Sequence, residues 1–424
     1  MPKRSQPTLY PTAAAQRVAL HAQGLSAPFS GIPDAESLYA MIERIGCLQI
    51  DTLQLVRRSQ YLTLWSRLGN YTAELLDQVA YGDPSAPPEA RNRRLFEYWL
   101  KAACFIPLSE YRYRLARMQT YREGNNRWFK EWVSKPEHKA ALDHVLERIR
   151  REGALRSADF EYKGEKRSGW FDWKPTKHAL EHLYNAGVLM IDRRQNFQRV
   201  YDLTERVLPD WVDRSLPSPE EHYRHLLVRA VRALGICKPE QMGFYFYMTH
   251  TNCKPFIKAL IAEGVLESVQ IVEQDGTQAT YLMHREDRHL IDQAAEGALT
   301  ATHTTFLSPF DNLFWAGKRT LALWNFEPRI EMYKPEPQRR WGYFSLPILH
   351  GERLIGRFDP KLDRKSGVLH LKALHLEEGV QPDEALITAV ADALRQFMAW
   401  HAATDLQIAR SAPAAFGEAL LRAM

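Results

Sequence analysis

Apolar residues recur at helical spacing from Thr12 to about Leu25. They do so again from Asp34 to Ile45, where Leu38, Met41, Ile42 and Ile45 share one face and Asp34 stands as N-cap. Gly46 is the expected stop. The period then changes: Leu48 and Ile50 alternate with Gln49 and Asp51, a short extended stretch with two polar side chains on the same side. Leu53, Leu55 and Val56 predict a further helix, with Asp51-Thr52 as its N-cap. Residues 82–94, rich in Pro and charge, read as a loop.

From Glu137 an ordered set appears. A helix runs to about Arg151, Ser157-Ala158-Asp159-Phe160 opens a second, and a polar loop from Lys163 to Gly169 leads to a third over Lys174–Asn185. Strands at Val188–Ile191 and Phe197–Leu203 follow, around the turn Arg193-Arg194-Gln195-Asn196. Three helices and then a basic hairpin is the winged helix-turn-helix order. The order recurs with helices Glu220–Leu234, Lys238–Tyr247 and Asn252–Glu263, then strands Val265–Val272 and Thr280–His284. After about Ala301 strands dominate (Tyr343–Leu346, Leu354–Phe358, Gly367–His375), closed by a helix from Pro382 to about Ala402. The expected class is α+β: tandem winged helix-turn-helix modules with a C-terminal antiparallel β-barrel-like domain. Its expected segments are residues 1–135, 136–215, 216–298 and 299–424.

The 424 residues carry 45% hydrophobic and 25% charged side chains, ordinary globular values that exclude a fibrous or disordered chain. A net charge of +5 excludes a polycationic tail but not a basic face. Four scattered cysteines, with no CxxC, argue against a disulfide framework or structural zinc site and make a reducing cytoplasm the expected setting. No stretch is long and apolar enough for a membrane span, so no membrane partner is expected.

Local charge is less even. Lys163–Arg199 holds eight Lys/Arg against four acids, Arg112–Lys130 six against one, and Lys334–Lys372 nine against four. On repeated winged modules such excesses fit the neutralisation of nucleic-acid phosphates, though each cluster alone also reads as a solvated face. Chosen by charge and position, the candidate phosphate contacts are Arg57, Arg58, Lys174, Lys177, Arg193, Arg194, Lys318, Arg319, Arg357 and Lys361. Pseudo-symmetry within one chain predicts a monomer. Gln49 and Asp51 carry the candidate chemistry, because a carboxylate beside an amide suits a cationic transition state such as the oxocarbenium-like sugar of N-glycoside hydrolysis. Spacing alone favours a plain helix N-cap there over catalysis. His222 and His225, at i and i+3 near Glu220 and Glu221, form an incomplete ligand set, so no metal or other cofactor is expected. A nuclease is disfavoured by the lack of clustered carboxylates.

Several segments together resemble the bacterial winged-helix DNA glycosylases of the AlkZ and YcaQ group, the YcaQ branch more closely. They are LQIDT with the VRRS stretch (Leu48 to Tyr71), the EYW and ACF stretch (Glu97 to Pro107), RSADFE (Arg156 to Glu161) and the SGW to WKP stretch (Ser168 to Lys177). NFQRVYDLT (Asn196 to Thr204), the LTATH to LSPFD stretch (Leu299 to Asp311), GYF to LH (Gly342 to His350) and Gly356 to Lys361 complete the set. The resemblance implies a monofunctional DNA repair glycosylase. Its expected reaction is hydrolysis of the N-glycosidic bond of N7-alkylated purines, including unhooking of interstrand crosslinks in double-stranded DNA. It makes Asp51 and Gln49 the catalytic residues, matching a Gln-aliphatic-Asp motif. The sequence departs from the family pattern at Lys101 and Ala102, where relatives carry a His-Glu pair. A Lys101 near Asp51 would lower the carboxylate's pKa and could hold phosphate. The rival reading is a non-catalytic winged-helix regulator or architectural protein.

Overall fold

A computed structural model describes residues 8–83, 85–87, 90–124, 127–160 and 175–424. Residue contacts divide the chain into two compact units, Met1–Leu75 with Tyr223–Met424, and Leu76–His222. The segment expected as 1–135 is therefore shared between the units. The first of them joins two stretches that are remote in sequence. Strand Leu9–Tyr10 pairs in parallel with strand Leu266–Val272, Leu9 opposite Gln270. Ala14, Ala15, Val18 and Ala19 of helix Thr12–Ala22 are buried in one core with Val269, Ile271, Tyr281, Met283 and Ile291. Alanines at these positions let the helix approach its neighbours closely.

Helix Ala35–Ile45 forms as its pattern predicts. The Asp34 carboxylate accepts the Ser37 N–H at 2.8 Å and the Ser37 hydroxyl accepts the Asp34 N–H at 2.8 Å, while Gly46 ends the helix at φ 79°. Three helices (Pro219–Leu234, Pro239–Tyr245, His250–Ala262) precede the hairpin of Leu266–Val272 with Gln278–His284. The C-terminal strands run in the order Thr304–Phe306, Leu346–His350, Arg353–Asp363, Val368–Leu376, Asp405–Ile408. This corrects the expected antiparallel barrel in two ways. The sheet is an open, curled half-barrel. Its Asp405–Ile408 and Ser411–Ala412 strands also lie parallel to Val368–Leu376. Helix Glu384–Trp400 is the crossover that a parallel return requires.

Tyr343 and Phe344 are not part of a strand. Their N–H groups donate instead to the Asp359 carboxylate, at 2.8 and 2.9 Å. Gly342, at φ 121°, is confined to glycine because a Cβ there would lie 2.4 Å from an Asp359 oxygen.

In the second unit, helices Pro136–Glu152 and Pro175–Asn185 pack beside the sheet of Leu155–Arg156, Gln198–Leu203 and Leu189–Gln195. The described part of the expected second helix is one 3-10 turn, Ser157–Asp159, and the polar loop after it lies outside the described residues. The hairpin turn is displaced along the chain from its expected place. Gln195 pairs with Gln198, and Asn196 and Phe197 make the turn at φ 49° and 65°. Two successive positive φ values match the twist of the flanking strands. Arg193 and Arg194 are consequently strand residues. No described helix is long and apolar enough to cross a membrane.

Candidate active site

The Gln49–Asp51 stretch lies in the first unit and is held from both ends. Ahead of it, the Ile45 carbonyl accepts the Tyr245 hydroxyl at 2.6 Å and the Cys47 carbonyl accepts the Asn312 amide at 2.9 Å. Leu48 and Gln49 form a two-residue strand; Leu48 and Ile50 are buried, while Gln49 and Asp51 are half-buried. Behind it, the Asp51 N–H donates to the side-chain oxygen of Gln60, a buried residue on helix Ser59–Leu68 (3.1 Å). That helix is fixed in turn by its Arg67, whose guanidinium grips both Asp311 oxygens at 2.7 and 2.9 Å, with neither side chain exposed. Trp65 stacks on Phe306 and on Trp400 at centroid distances of 6.0 and 5.8 Å.

The helix expected over Leu53–Val56 does not form. The Asp51 carboxylate accepts the Leu53 N–H at 2.8 Å, an Asx turn rather than a helix cap. The following main chain is taken up by the C-terminal sheet and helix. Leu55 and Val56 carbonyls accept from the Leu362 N–H (2.9 Å) and the Arg364 guanidinium (2.7 Å), and the Arg57 N–H donates to His401 Nε2 at 3.1 Å. These partners replace the i to i+4 ladder. Among the described residues no Lys or Arg forms an ion pair with Asp51, so its charge is available to a cation from outside.

His401 keeps this anchorage neutral. Its Nδ1 donates to the Phe397 carbonyl (2.7 Å) while Nε2 accepts from Arg57. Burial, with the charges of Arg57 and Arg364 behind it, lowers its pKa to about 4. An unfolded chain protonates histidine near 6.5 and so binds more protons between these two values; stability is lost as pH falls through that window. Thermal melts are expected to show this loss. His401→Gln, which keeps an acceptor but cannot titrate, should flatten it by about 3 kcal/mol at most.

The candidate phosphate contacts separate by placement. Lys177, Lys318 and Lys361 are exposed, and Arg57, Arg58 and Arg193 are half-buried, Arg193 paired with Asp192. Lys174 lies outside the described residues. Three others are turned inward and are corrected as duplex contacts. Arg194 grips the buried Glu97 at 2.6 and 2.8 Å. Burial alone would raise the Glu97 pKa, but Arg194, Arg199 and the Tyr81 hydroxyl outweigh it and hold the carboxylate below its usual range. Arg319 is fully buried and donates to the Leu234 carbonyl at 2.5 Å. Arg357 is 3% exposed, bonded to Glu377 at 2.6 Å and sandwiched by Phe326 and Trp341. In each case the guanidinium meets its partners inside the protein. Lys101 is exposed at the turn between strands Leu95–Trp99 and Ala103–Pro107 of the second unit.

Gln60, Asn312 and Arg364 support the site without having been legible in the sequence; no periodicity marks them, and only their distant partners do. Among the described residues no three His, Cys, Asp or Glu side chains converge as a metal site.

The family model described as DNA glycosylase AlkZ-like matches residues 42–400. The solved structure of the Streptomyces sahachiroi DNA glycosylase AlkZ is similar with a TM-score of 0.61 at 15% identity, covering 95% of this chain and 100% of that one. At that identity the likeness is one of fold.

Proposed function

We propose, because this chain belongs to the AlkZ-like DNA glycosylase family, that it is a monofunctional enzyme acting on N7-alkylated purines in duplex DNA and unhooking interstrand crosslinks. The observation that carries the reading is Asp51: a half-exposed carboxylate without a cationic partner among the described residues, on a segment tied at both ends. N7-alkylation leaves the purine cationic, so the base departs without needing protonation. The enzyme's task is then to stabilise the positive deoxyribose and deliver water. Asp51 does the first and orients the water; Gln49, two residues away on the same side, positions the water or the departing base. No lysine occupies the motif, which favours hydrolysis over a Schiff base with the sugar.

Three helices and a hairpin over Pro219–His284, and the helix, 3-10 turn, helix and hairpin described between Pro136 and Leu203, support tandem winged helices as the duplex-gripping modules. Arg57, Arg58, Lys174, Lys177, Arg193, Lys318 and Lys361 are the proposed phosphate contacts, and a monomer is the proposed working form. Purified protein incubated with duplex containing one N7-methylguanine or one nitrogen-mustard crosslink should leave abasic sites that alkali converts to strand breaks. A protein that shifts the duplex in a gel yet leaves every purine in place would instead be a non-catalytic scaffold.

A further inference from the structure

We propose that a pocket of about 340 Å³ beside the Asp51 segment, lined by Gln54, Arg57, Leu362, Arg364, Gly367 and His401, seats a backbone phosphodiester of the lesion-bearing strand. The assignment rests on the glycosylase reading above and adds a subsite to it.

Its charge is one-sided. Two guanidiniums line it and no acid does. Among the described residues neither Arg57 nor Arg364 has an ion pair with a carboxylate, whereas Arg67, Arg194 and Arg357 all do. Two like charges sharing a pocket repel, and an anion between them relieves that repulsion. Both guanidiniums are also aimed. Arg57 donates to the Trp400 carbonyl at 3.0 Å with its Cζ 4.6 Å from the centroid of the Trp400 ring, and Arg364 donates to the Val56 carbonyl at 2.7 Å. A guanidinium has five N–H donors, so each retains several after these bonds, in a fork suited to phosphate oxygens. His401 adds no charge, since both its nitrogens are engaged within the protein.

Position identifies the phosphate. Gln54 stands three residues after Asp51, and three residues span at most about 11 Å. A strand rises 3.4 Å per nucleotide, so the seat is within about three nucleotides of the sugar that Asp51 faces. Anchoring the backbone there would hold the deoxyribose against the carboxylate while keeping phosphate charge away from it.

The test is anisotropy titration of the full chain on duplex carrying one N7-methylguanine, from low to high KCl, with alkali-revealed purine release measured in parallel. Arg364→Gln should weaken binding about 5- to 10-fold at physiological salt and reduce the slope of log K against log salt by about one, the share of one phosphate contact. Arg364→Lys, which keeps the charge, should restore the slope, and Arg364→Glu should deepen the loss. A mere packing role for Arg364 would lower the melting temperature and leave the salt slope alone. If wild type releases purine and Arg364→Gln keeps its affinity and slope, the phosphate seat is overturned while the glycosylase reading stands. If wild type binds duplex and releases no purine, the glycosylase reading fails, and the slope still decides whether the pocket takes phosphate. A wild type that binds no duplex overturns both.

Discussion

Asp51→Asn should slow release of N7-methylguanine by roughly three orders of magnitude while duplex affinity stays within about twofold. The substitution is nearly isosteric. An amide oxygen can still accept the Leu53 N–H, and the Asp51 N–H keeps its bond to Gln60, so the Asx turn survives. What is lost is one negative charge. A unit charge about 4 Å from a forming sugar cation is worth about 4 kcal/mol at an effective dielectric near 20, which is close to a factor of 10³ in rate. That agrees with the roughly 10²–10⁴ usually found for a positioned acid or base. Single-turnover kinetics with alkali cleavage would measure it. A variant releasing purine at the wild-type rate would remove Asp51 from the chemistry and, with it, the mechanism proposed above.

The second large effect concerns stability. Arg67 and Asp311 form a two-pronged ion pair with no exposure on either side chain, and Arg67 also donates to the main-chain carbonyls of Gln23 and Thr63, each at 2.8 Å. Removing one partner leaves a buried charge uncompensated, at a cost of about 3–5 kcal/mol. Arg67→Met and Asp311→Leu should therefore each shift the denaturation midpoint markedly. The double variant should lose less than the sum of the two, since it strands no charge. Arg67 belongs to the helix whose Gln60 holds the Asp51 main chain, so either single change should also reduce base release. A single variant costing under about 1 kcal/mol would mean that the pair is far better solvated than its burial implies.

The same pair shows why parts of this protein are legible in sequence and others are not. Helix Ala35–Ile45, its Asp34 cap and its Gly46 stop are set by neighbours within a few residues, and the structure repeats them. The alternation of Leu48, Gln49, Ile50 and Asp51 likewise survives as alternating burial. Arg67 and Asp311, in contrast, are 244 residues apart. No local pattern distinguishes Arg67 from Arg58, although one is sealed in the core and the other is half-buried.

By itself the sequence determined helix Ala35–Ile45 with its Asp34 cap and Gly46 stop, the three helices and hairpin over Pro219–His284, and the polar pair set between apolar neighbours. These depend on periodicity and on hydrogen bonds that close within one turn. Only the tertiary structure decided which cations face water. Arg194, Arg319 and Arg357 turn inward because Glu97, the Leu234 carbonyl and Glu377 meet them there. It also decided that Leu53–Val56 is not helical, since its carbonyls are claimed by Leu362 and Arg364, and that the C-terminal sheet closes on parallel strands carried back by a helix. The reason is common to all of these. A buried guanidinium or main-chain carbonyl requires a partner, and the partner comes from whichever part of the chain folding brings alongside.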